Sequence, residues 1–181
     1  MKKKLFIILT LNLVISLSLL SQITHTISFG PDLGLPSKNF GSETSLGIGG
    51  SLEYQFKFNA PVGLQLHAGY NHFPSKLTSN DNINFFPLRA GIVGFVYHDI
   101  MFISADFGIS YFDEPGVEDY TKSGFSYGVG AGYKIYVNPD KKQFLQLTAY
   151  YNSHKYKDDR WGQNYNYTWF NIRAAYGFSF R

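Results

Sequence analysis

Apolar and polar residues alternate along most of the chain with a period of two residues. In the segment 45–58, SLGIGGSLEYQFKF, large apolar residues occupy most even positions from Leu46 to Phe58. Glycine, serine and charged or amide residues occupy every odd position from Ser45 to Lys57. Successive side chains of a β-strand point to opposite faces, so the alternation predicts a strand with one apolar and one polar face.

The same pattern recurs in seven other parts of the sequence. A weaker example covers Ile23–Leu35, and the clearer ones cover 62–71, 86–96, 101–111, 124–137, 145–152 and 168–180. No segment shows a sustained helical period. The chain is therefore predicted to be all-β, with eight strands.

The connections between these strands fall into two classes. Residues that favour tight turns follow the second, fourth and sixth strands, at 59–61, 98–99 and 138–142. Longer polar segments follow the first, third, fifth and seventh strands: PSKNFGSE, PSKLTSNDN, DEPGVEDYTK and YKDDRWGQNY. An even number of strands with this asymmetry predicts an antiparallel up-and-down transmembrane β-barrel with short periplasmic turns and longer extracellular loops.

Composition indicates that the apolar face of the strands lies outside. Only 16% of the residues are charged, against roughly 25% in ordinary soluble domains. The other face is made largely of glycine, serine, tyrosine and glutamine, whereas a water-exposed face of a soluble barrel carries many lysines and glutamates. Eight strands leave an interior just wide enough for side chains to fill, which suits such a face.

The first 21 residues are predicted to be a signal peptide that precedes a barrel domain over 22–181. Three lysines at 2–4 are followed by an apolar run, Leu5–Leu20, and cleavage is expected between Ser21 and Gln22. Without these three lysines, the number of Lys and Arg residues falls from 16 to 13 and equals the 13 Asp and Glu residues. The near-neutral mature chain gives no support for nucleic-acid binding.

Charged residues on the predicted inner face form a candidate polar network. If residues 98–99 form a two-residue turn, Tyr97 pairs with Ile100, Arg89 lies opposite Gly108, and Asp106 lies opposite Gly91. Arg89 and Asp106 then become diagonal neighbours that can form an ion pair. The proposed lumenal network consists of Glu53, Arg89, Asp106, Lys134 and Arg173.

Two interpretations of this network are open, a polar plug that fixes the strand register and a path for protons or ions. With Lys57 and His67 also inside, the interior is expected to be net positive, which disfavours a cation channel.

Outward aromatic residues are predicted to form girdles at the two membrane interfaces. The alternation places these aromatic residues on the outer face, and they lie toward the ends of the predicted strands. The girdle residues are Tyr54, Phe56, Tyr70, Tyr111, Tyr127, Tyr151, Tyr176, Phe178 and Phe180.

Three segments together resemble the small outer-membrane β-barrel domain proteins, the group of OmpA-like and OmpX-like barrels. They are ISFGPDLGLP, SLGIGGSLEYQF and the closing WFNIRAAYGFSF. The resemblance implies a location in the bacterial outer membrane and assembly by an outer-membrane insertion complex. It implies no single activity, because such barrels include structural, adhesive and lipid-modifying members.

Catalytic and metal-binding patterns are weak, and no catalytic residue, metal or cofactor is predicted. Ser153, His154 and Asp158 or Asp159 could supply a hydrolase or acyltransferase triad, but adjacent strand residues point to opposite faces. Acidic residues at Asp113, Glu114, Glu118 and Asp119 could bind calcium in a loop. The chain has no cysteine, which excludes disulfides and thiolate metal sites.

The sequence therefore predicts a monomeric outer-membrane barrel with a structural or surface-interaction role. It is expected to contact outer-membrane lipids, and any ligand of its surface loops is unknown. The alternatives are a membrane-embedded lipid acyl hydrolase or transferase and a soluble secreted calyx that binds an apolar ligand.

Overall fold

A computed structural model describes residues 23–58, 60–76, 82–97, 99–113, 121–157 and 164–180, which form one closed barrel. Each of its eight strands pairs antiparallel with the next, and the last pairs with the first. The strands are β1 Thr24–Ser37, β2 Gly47–Lys57, β3 Val62–Phe73, β4 Ile83–Tyr97, β5 Met101–Asp113, β6 Thr121–Tyr136, β7 Gln143–Lys157 and β8 Asn164–Phe180. This arrangement confirms the predicted fold class. The signal segment and its cleavage site lie outside the described residues.

The register between β4 and β5 agrees with the prediction along most of its length. Arg89 pairs with Gly108 and Gly91 pairs with Asp106, as expected. At the rim, however, Tyr97 pairs with Met101 instead of Ile100. An irregularity in β4 between Phe95 and Tyr97 shifts the partner of Tyr97 by one residue. The predicted register assumed a regular ladder up to a two-residue turn and so did not include this irregularity.

The apolar face of every strand lies on the outside of the barrel. Ile92 and Phe107 are 65% and 64% exposed, whereas Arg89 and Asp106, which lie on the other face, are buried. Such a continuous apolar wall is stable in lipid and not in water. The alternative of a soluble calyx with an apolar interior is therefore wrong.

One helix was not predicted from the sequence. Helix α1, Lys38–Glu43, occupies a segment that was expected to be an irregular polar loop. Its six residues are too few to show a helical period. The helix directs Phe40 into the barrel mouth, where it is buried. Within the described residues, no helix has the length and apolarity that a membrane span requires.

Glycines on the inner face of β6 give the lumen room for long side chains. A Cβ at Gly130 would overlap the ring of Tyr150, and one at Gly132 would overlap the ring of Phe102. A Cβ at Gly128 would lie 2.8 Å from both Arg89 Nη1 and Asp106 Oδ1. These glycines therefore set where the largest lumenal groups can lie.

Candidate functional site in the barrel lumen

Glu53 is the centre of a buried hydrogen-bond network halfway along the lumen. Its Oε1 accepts hydrogen bonds from Gln55 Nε2 at 2.6 Å and from Gln146 Nε2 at 3.1 Å. Its Oε2 accepts one from the Tyr150 hydroxyl at 2.9 Å and lies 3.7 Å from Arg173 Nη1. A carboxylate removed from water needs partners of this kind, because burial of an unpaired charge is costly.

Arg173 is the cation of this central group and is completely buried. Its Nη2 donates to the Ser28 carbonyl oxygen at 2.9 Å and lies 3.1 Å from Ser28 Oγ. Arg173 therefore connects β8 to β1 across the seam that closes the barrel, in addition to its contact with Glu53.

Arg89 and Asp106 form a second buried ion pair. Arg89 Nε lies 2.9 Å from Asp106 Oδ1, and Arg89 Nη1 donates to Asn152 Oδ1 at 2.7 Å. Asp106 Oδ2 accepts a hydrogen bond from Gln65 Nε2 at 3.1 Å. The lumen is narrow enough here for residues of β3, β4, β5 and β7 to meet at one point.

One amide and one hydroxyl join the two groups. Gln65 Nε2, which donates to Asp106, also donates to the Tyr150 hydroxyl at 2.9 Å, and that hydroxyl donates to Glu53. Tyr150 also accepts a hydrogen bond from Ser104 Oγ at 3.2 Å. Tyr150 and Gln65 were not among the predicted network residues, although the alternation places both on the inner face.

Lys134 lies between this polar centre and an apolar layer near the short turns. Its Nζ donates to Gln55 Oε1 at 2.8 Å. The same ammonium lies 4.9 Å from the ring centre of Phe144 and 5.4 Å from those of Phe95 and Phe102. Aromatic faces attract cations, so these rings hold Lys134 as well as closing this end of the lumen.

Two carboxylates change the expected charge of the interior. Asp32 is buried and pairs with Arg173 in the β1–β8 register, and Asp99 forms an ion pair with Lys57 at the short-turn rim. Asp32 lies in the weakest predicted strand and is not part of the predicted set, so its carboxylate reduces the expected excess of positive charge. Among the described buried residues, the cations Arg89, Lys122, Lys134 and Arg173 still outnumber the carboxylates Asp32, Glu53 and Asp106. The net positive interior therefore stays a prediction.

A cluster of aromatic rings fills the lumen at the loop end. Rings from α1 and five strands form it: Phe40, Phe73, Phe85, Phe112, Tyr156 and Trp169. The rings of Phe85 and Trp169 are 5.0 Å apart, and those of Phe40 and Phe73 are 4.9 Å apart. We call this cluster the loop-end aromatic layer. The predicted alternation placed only Trp169 of these residues on the inner face, because the other five lie outside the predicted strands, and it gave no signal that they form one layer.

Ser153 and His154, two residues of the candidate hydrolase or acyltransferase triad, point to opposite faces of β7. Ser153 donates to Asn166 Oδ1 at 2.8 Å, while the His154 ring lies inside the barrel, 5.3 Å from Phe85 and 5.2 Å from Phe112. Asp158 and Asp159 lie outside the described residues. Asp113 ends β5, and the other candidate calcium ligands, Glu114, Glu118 and Asp119, also lie outside the described residues. The described part of the chain contains no group of three metal-ligating side chains.

The candidate girdle residues divide between the two ends, with one exception. Tyr54, Phe56, Tyr176, Phe178 and Phe180 lie in the halves of their strands nearest the short turns, while Tyr70, Tyr111 and Tyr127 lie in the halves nearest the loops. Tyr151 is near the middle of β7, where its ring contacts Phe170 at 5.2 Å. Measured from the short-turn end of its strand, however, Tyr151 lies eight residues along β7, as Tyr70 does along β3, because β7 continues beyond it to Lys157. Its place in the loop-end girdle therefore stays a prediction.

Comparison with known proteins identifies relatives of the same architecture. The family model of the outer membrane protein beta-barrel domain matches residues 10–178. Among curated proteins, none matches this chain significantly.

Solved structures with the same fold come from several bacteria. Ail, the attachment invasion locus protein of Yersinia pestis, is 17% identical and has a TM-score of 0.57, and the match covers 87% of this chain and 98% of Ail. Neisserial surface protein A is 13% identical, with a TM-score of 0.61 and coverage of 88% and 97%. OprG from Pseudomonas aeruginosa is 12% identical, with a TM-score of 0.57 and coverage of 87% and 96%. At these identities the likeness concerns the fold alone.

Proposed function

Because the chain belongs to the outer membrane protein beta-barrel domain family, we propose that it is a closed outer-membrane barrel with a structural or surface-interaction role. We infer that the barrel has no open pore and that the described residues form no catalytic site. The observation that carries this proposal is the filling of the lumen by three successive layers. They are the loop-end aromatic layer, the ion-paired centre, and the rings around Lys134 near the short turns.

The layers support a plug rather than a path for ions. A permeating ion would have to displace aromatic rings that are completely buried at the loop end, including Phe85, Phe112 and Trp169. It would then meet cations and carboxylates that are already paired with one another. The groups of the centre therefore stabilise the strand register and fill volume.

Planar bilayer recordings test the absence of a pore. The refolded full chain is inserted into the bilayer at several salt concentrations, and a barrel of known conductance serves as the insertion control. We expect no conductance steps from the wild-type chain. Regular, salt-dependent steps that grow with the amount of folded protein would refute the plug.

The surface role rests on the asymmetry of the two ends. The loop end carries α1, and its four connections between strands have 9, 9, 7 and 6 residues, at 38–46, 74–82, 114–120 and 158–163. The three connections at the opposite end have 4, 3 and 6 residues, at 58–61, 98–100 and 137–142. Two proteins of similar fold are named for attachment and for the cell surface. We therefore place the loop end outside the cell, with outer-membrane lipids around a monomeric barrel that an insertion complex has assembled.

Cells with and without the gene provide the test of this role. Binding to host-matrix proteins, serum proteins and polysaccharides is compared between the two strains. The expected result is loss of at least one surface interaction, or of envelope integrity, in the strain that lacks the gene. No difference in either property would contradict the proposal.

Absence of catalysis is tested at the residues of the weak triad. Alanine at Ser153 or His154 should leave the lipid A and phospholipid profile of the cells unchanged, because the two side chains lie on opposite faces of β7. A profile that changes equally in both variants and in the gene deletion would support an acyl hydrolase or transferase instead.

A further inference from the structure

A layer of unpaired polar groups lies in the lumen directly beneath the loop-end aromatic layer, toward the ion-paired centre. Its members come from the four neighbouring strands β5 to β8, and none is more than 1% exposed. Each has a polar side-chain atom without a hydrogen-bond partner among the described residues. Burial of such atoms is costly, so their concentration in one place indicates a bound species. We call this set the polar layer: Ser110, Ser126, Asn152, His154 and Trp169.

The strand register places the members of the polar layer side by side. Ser126 pairs directly with His154, and Asn152 pairs directly with Trp169. Asn152 and His154 are two residues apart on β7, so their side chains point to the same face. Cross-strand partners have Cα atoms about 4.5–5.5 Å apart, which brings these four side chains to one side of the lumen. Ser110 lies on β5, the strand next to that of Ser126.

Two glycines of β6 give the polar layer its room. Gly124 and Gly128 lie on either side of Ser126 along the inner face of the strand. A Cβ at Gly124 would lie 2.9 Å from His154 Cε1, and one at Gly128 would lie 2.8 Å from Arg89 Nη1. The imidazole therefore lies on the loop side of Ser126, and the guanidinium lies on the short-turn side.

The unpaired atoms of the polar layer are mainly hydrogen-bond donors. Asn152 Oδ1 already accepts a hydrogen bond from Arg89 Nη1 at 2.7 Å, so the unpaired atom of this amide is Nδ2, which can only donate. Trp169 Nε1 can only donate as well, and the two serine hydroxyls and the protonated nitrogen of His154 can also donate. Bridging water would need a matching set of acceptors, whereas an anion accepts hydrogen bonds from all of these groups.

The charges around the polar layer also favour an anion. The Arg89 guanidinium borders the layer on the side of the centre. On the loop side, the Lys122 ammonium lies 5.1 Å from the ring centre of Tyr156, a ring that stacks on His154. Asp106, the carboxylate that shares this part of the lumen, already binds Arg89 and accepts a hydrogen bond from Gln65. An anion in the layer would thus lie between two cations.

We propose that the polar layer binds one small inorganic anion, chloride in the cell, enclosed beneath the loop-end aromatic layer. Asn152 and Trp169 donate to it through N–H groups, Ser110 and Ser126 donate through hydroxyls, and His154 donates through its protonated ring nitrogen. The ion gives these buried groups the partner that they need and connects β5, β6, β7 and β8. Its retention rests on the closed barrel proposed above, because the aromatic rings separate it from solvent.

Halide analysis of the refolded full chain tests the proposal. The protein is refolded into nonionic detergent at increasing bromide concentrations and transferred by gel filtration into gluconate buffer. It is then unfolded, and the released bromide is measured by ion chromatography. We expect the wild-type chain to release one bromide per molecule at saturation. Heat-modifiable gel migration identifies the folded fraction of the wild type and of every variant.

The fluorescence of Trp169 tests where the bromide is bound. Trp161→Phe leaves Trp169 as the only tryptophan of the chain. A heavy halide in contact with an indole shortens its fluorescence lifetime. Trp161→Phe that was refolded in bromide should therefore have a shorter lifetime than the same variant refolded in chloride, when both are measured in gluconate buffer.

Matched variants separate this site from general adhesion of halide. Ser126→Ala removes one donor and should raise the bromide concentration for half occupancy by about tenfold, the factor that corresponds to one hydrogen bond to a charged group. Trp169→Phe removes the indole N–H and provides a second test. Ser153→Ala is the control, because its hydroxyl lies on the other face of β7 and donates to Asn166. It should bind bromide as the wild type does.

Three results would overturn the proposal. Folded wild-type protein that releases no bromide would mean that water satisfies these donors. Unchanged half occupancy in both Ser126→Ala and Trp169→Phe would remove the site, and so would equal lifetimes of Trp169 after refolding in bromide and in chloride. The bilayer recordings measure the pore independently. A chain that shows no conductance and releases no bromide would therefore lack the ion site and keep the plug.

Discussion

Tyr150 joins the two ion-pair groups of the lumen through a single hydroxyl group. It donates to Glu53 Oε2 and accepts hydrogen bonds from Gln65 and Ser104. Tyr150→Phe leaves these buried partners incompletely satisfied, so we expect a loss of about 1–3 kcal/mol in the free energy of unfolding. Urea unfolding in phospholipid vesicles measures it. Tyr151→Phe, on the outer side of the same strand, is the control and should change the stability by less than about 0.5 kcal/mol.

The Arg89–Asp106 pair offers a second test at the scale of single residues. Asp106→Leu leaves the Arg89 guanidinium buried with Asn152 as its remaining partner and should cost about 3–5 kcal/mol. The double variant Arg89→Met and Asp106→Leu removes both charges and should recover most of this loss. The same vesicle assay measures both. A double variant that is less stable than Asp106→Leu would contradict this account of the pair.

The face of the barrel on which a residue lies could be predicted from its neighbours in the sequence, whereas its contacts with distant strands could not. Alternation alone assigns Arg89, Asp106 and Glu53 to the inner face, and a turn-based register brings the first two together. Two partners of Glu53, Gln146 and Tyr150, could not be predicted, because they come from β7, on the other side of the barrel. Asp32 was missed because its strand has the weakest alternation.

At the scale of elements, β6 differs from the other strands in the glycines along its inner face. Gly130→Ala places a methyl group where the Tyr150 ring lies, so we expect overpacking that costs about 1–3 kcal/mol. Gly94→Ala is the control, because the added Cβ would lie 3.5 Å from Ile103 Cγ1, which is an ordinary van der Waals contact. Vesicle unfolding of the two variants gives the comparison. Equal stability of Gly130→Ala and the wild type would mean that Tyr150 can move without cost.

Helix α1 and the loop-end aromatic layer show why elements near the loops are harder to predict than the strands. The strands follow from a repeated local pattern. The aromatic layer takes Phe40 from α1, Phe73 from β3 and Trp169 from β8, which meet only after the barrel has closed. No repeat in the local sequence predicts contacts between residues of such distant elements, and the polar residues around Phe40 indicate a loop.

At the scale of the whole molecule, the chain has two apolar regions with different roles. The outer wall is apolar because it faces lipid, and the two ends of the lumen are apolar because aromatic rings close them. The sequence predicted the first region correctly from composition and alternation. It predicted a polar interior, which holds for the centre and not for the ends, because alternation assigns a side chain to a face and not to a height in the barrel.

The orientation of the whole barrel in the membrane can be tested with single cysteines, since the chain contains none of its own. Lys76 lies at the loop end and Lys141 at a short turn, both are exposed, and each is replaced by cysteine in a separate variant, Lys76→Cys or Lys141→Cys. A maleimide on a polyethylene glycol chain too large to cross the outer membrane should label intact cells at position 76 only. After the outer membrane is permeabilised, both positions should react. Labelling of position 141 alone in intact cells would place the short turns outside.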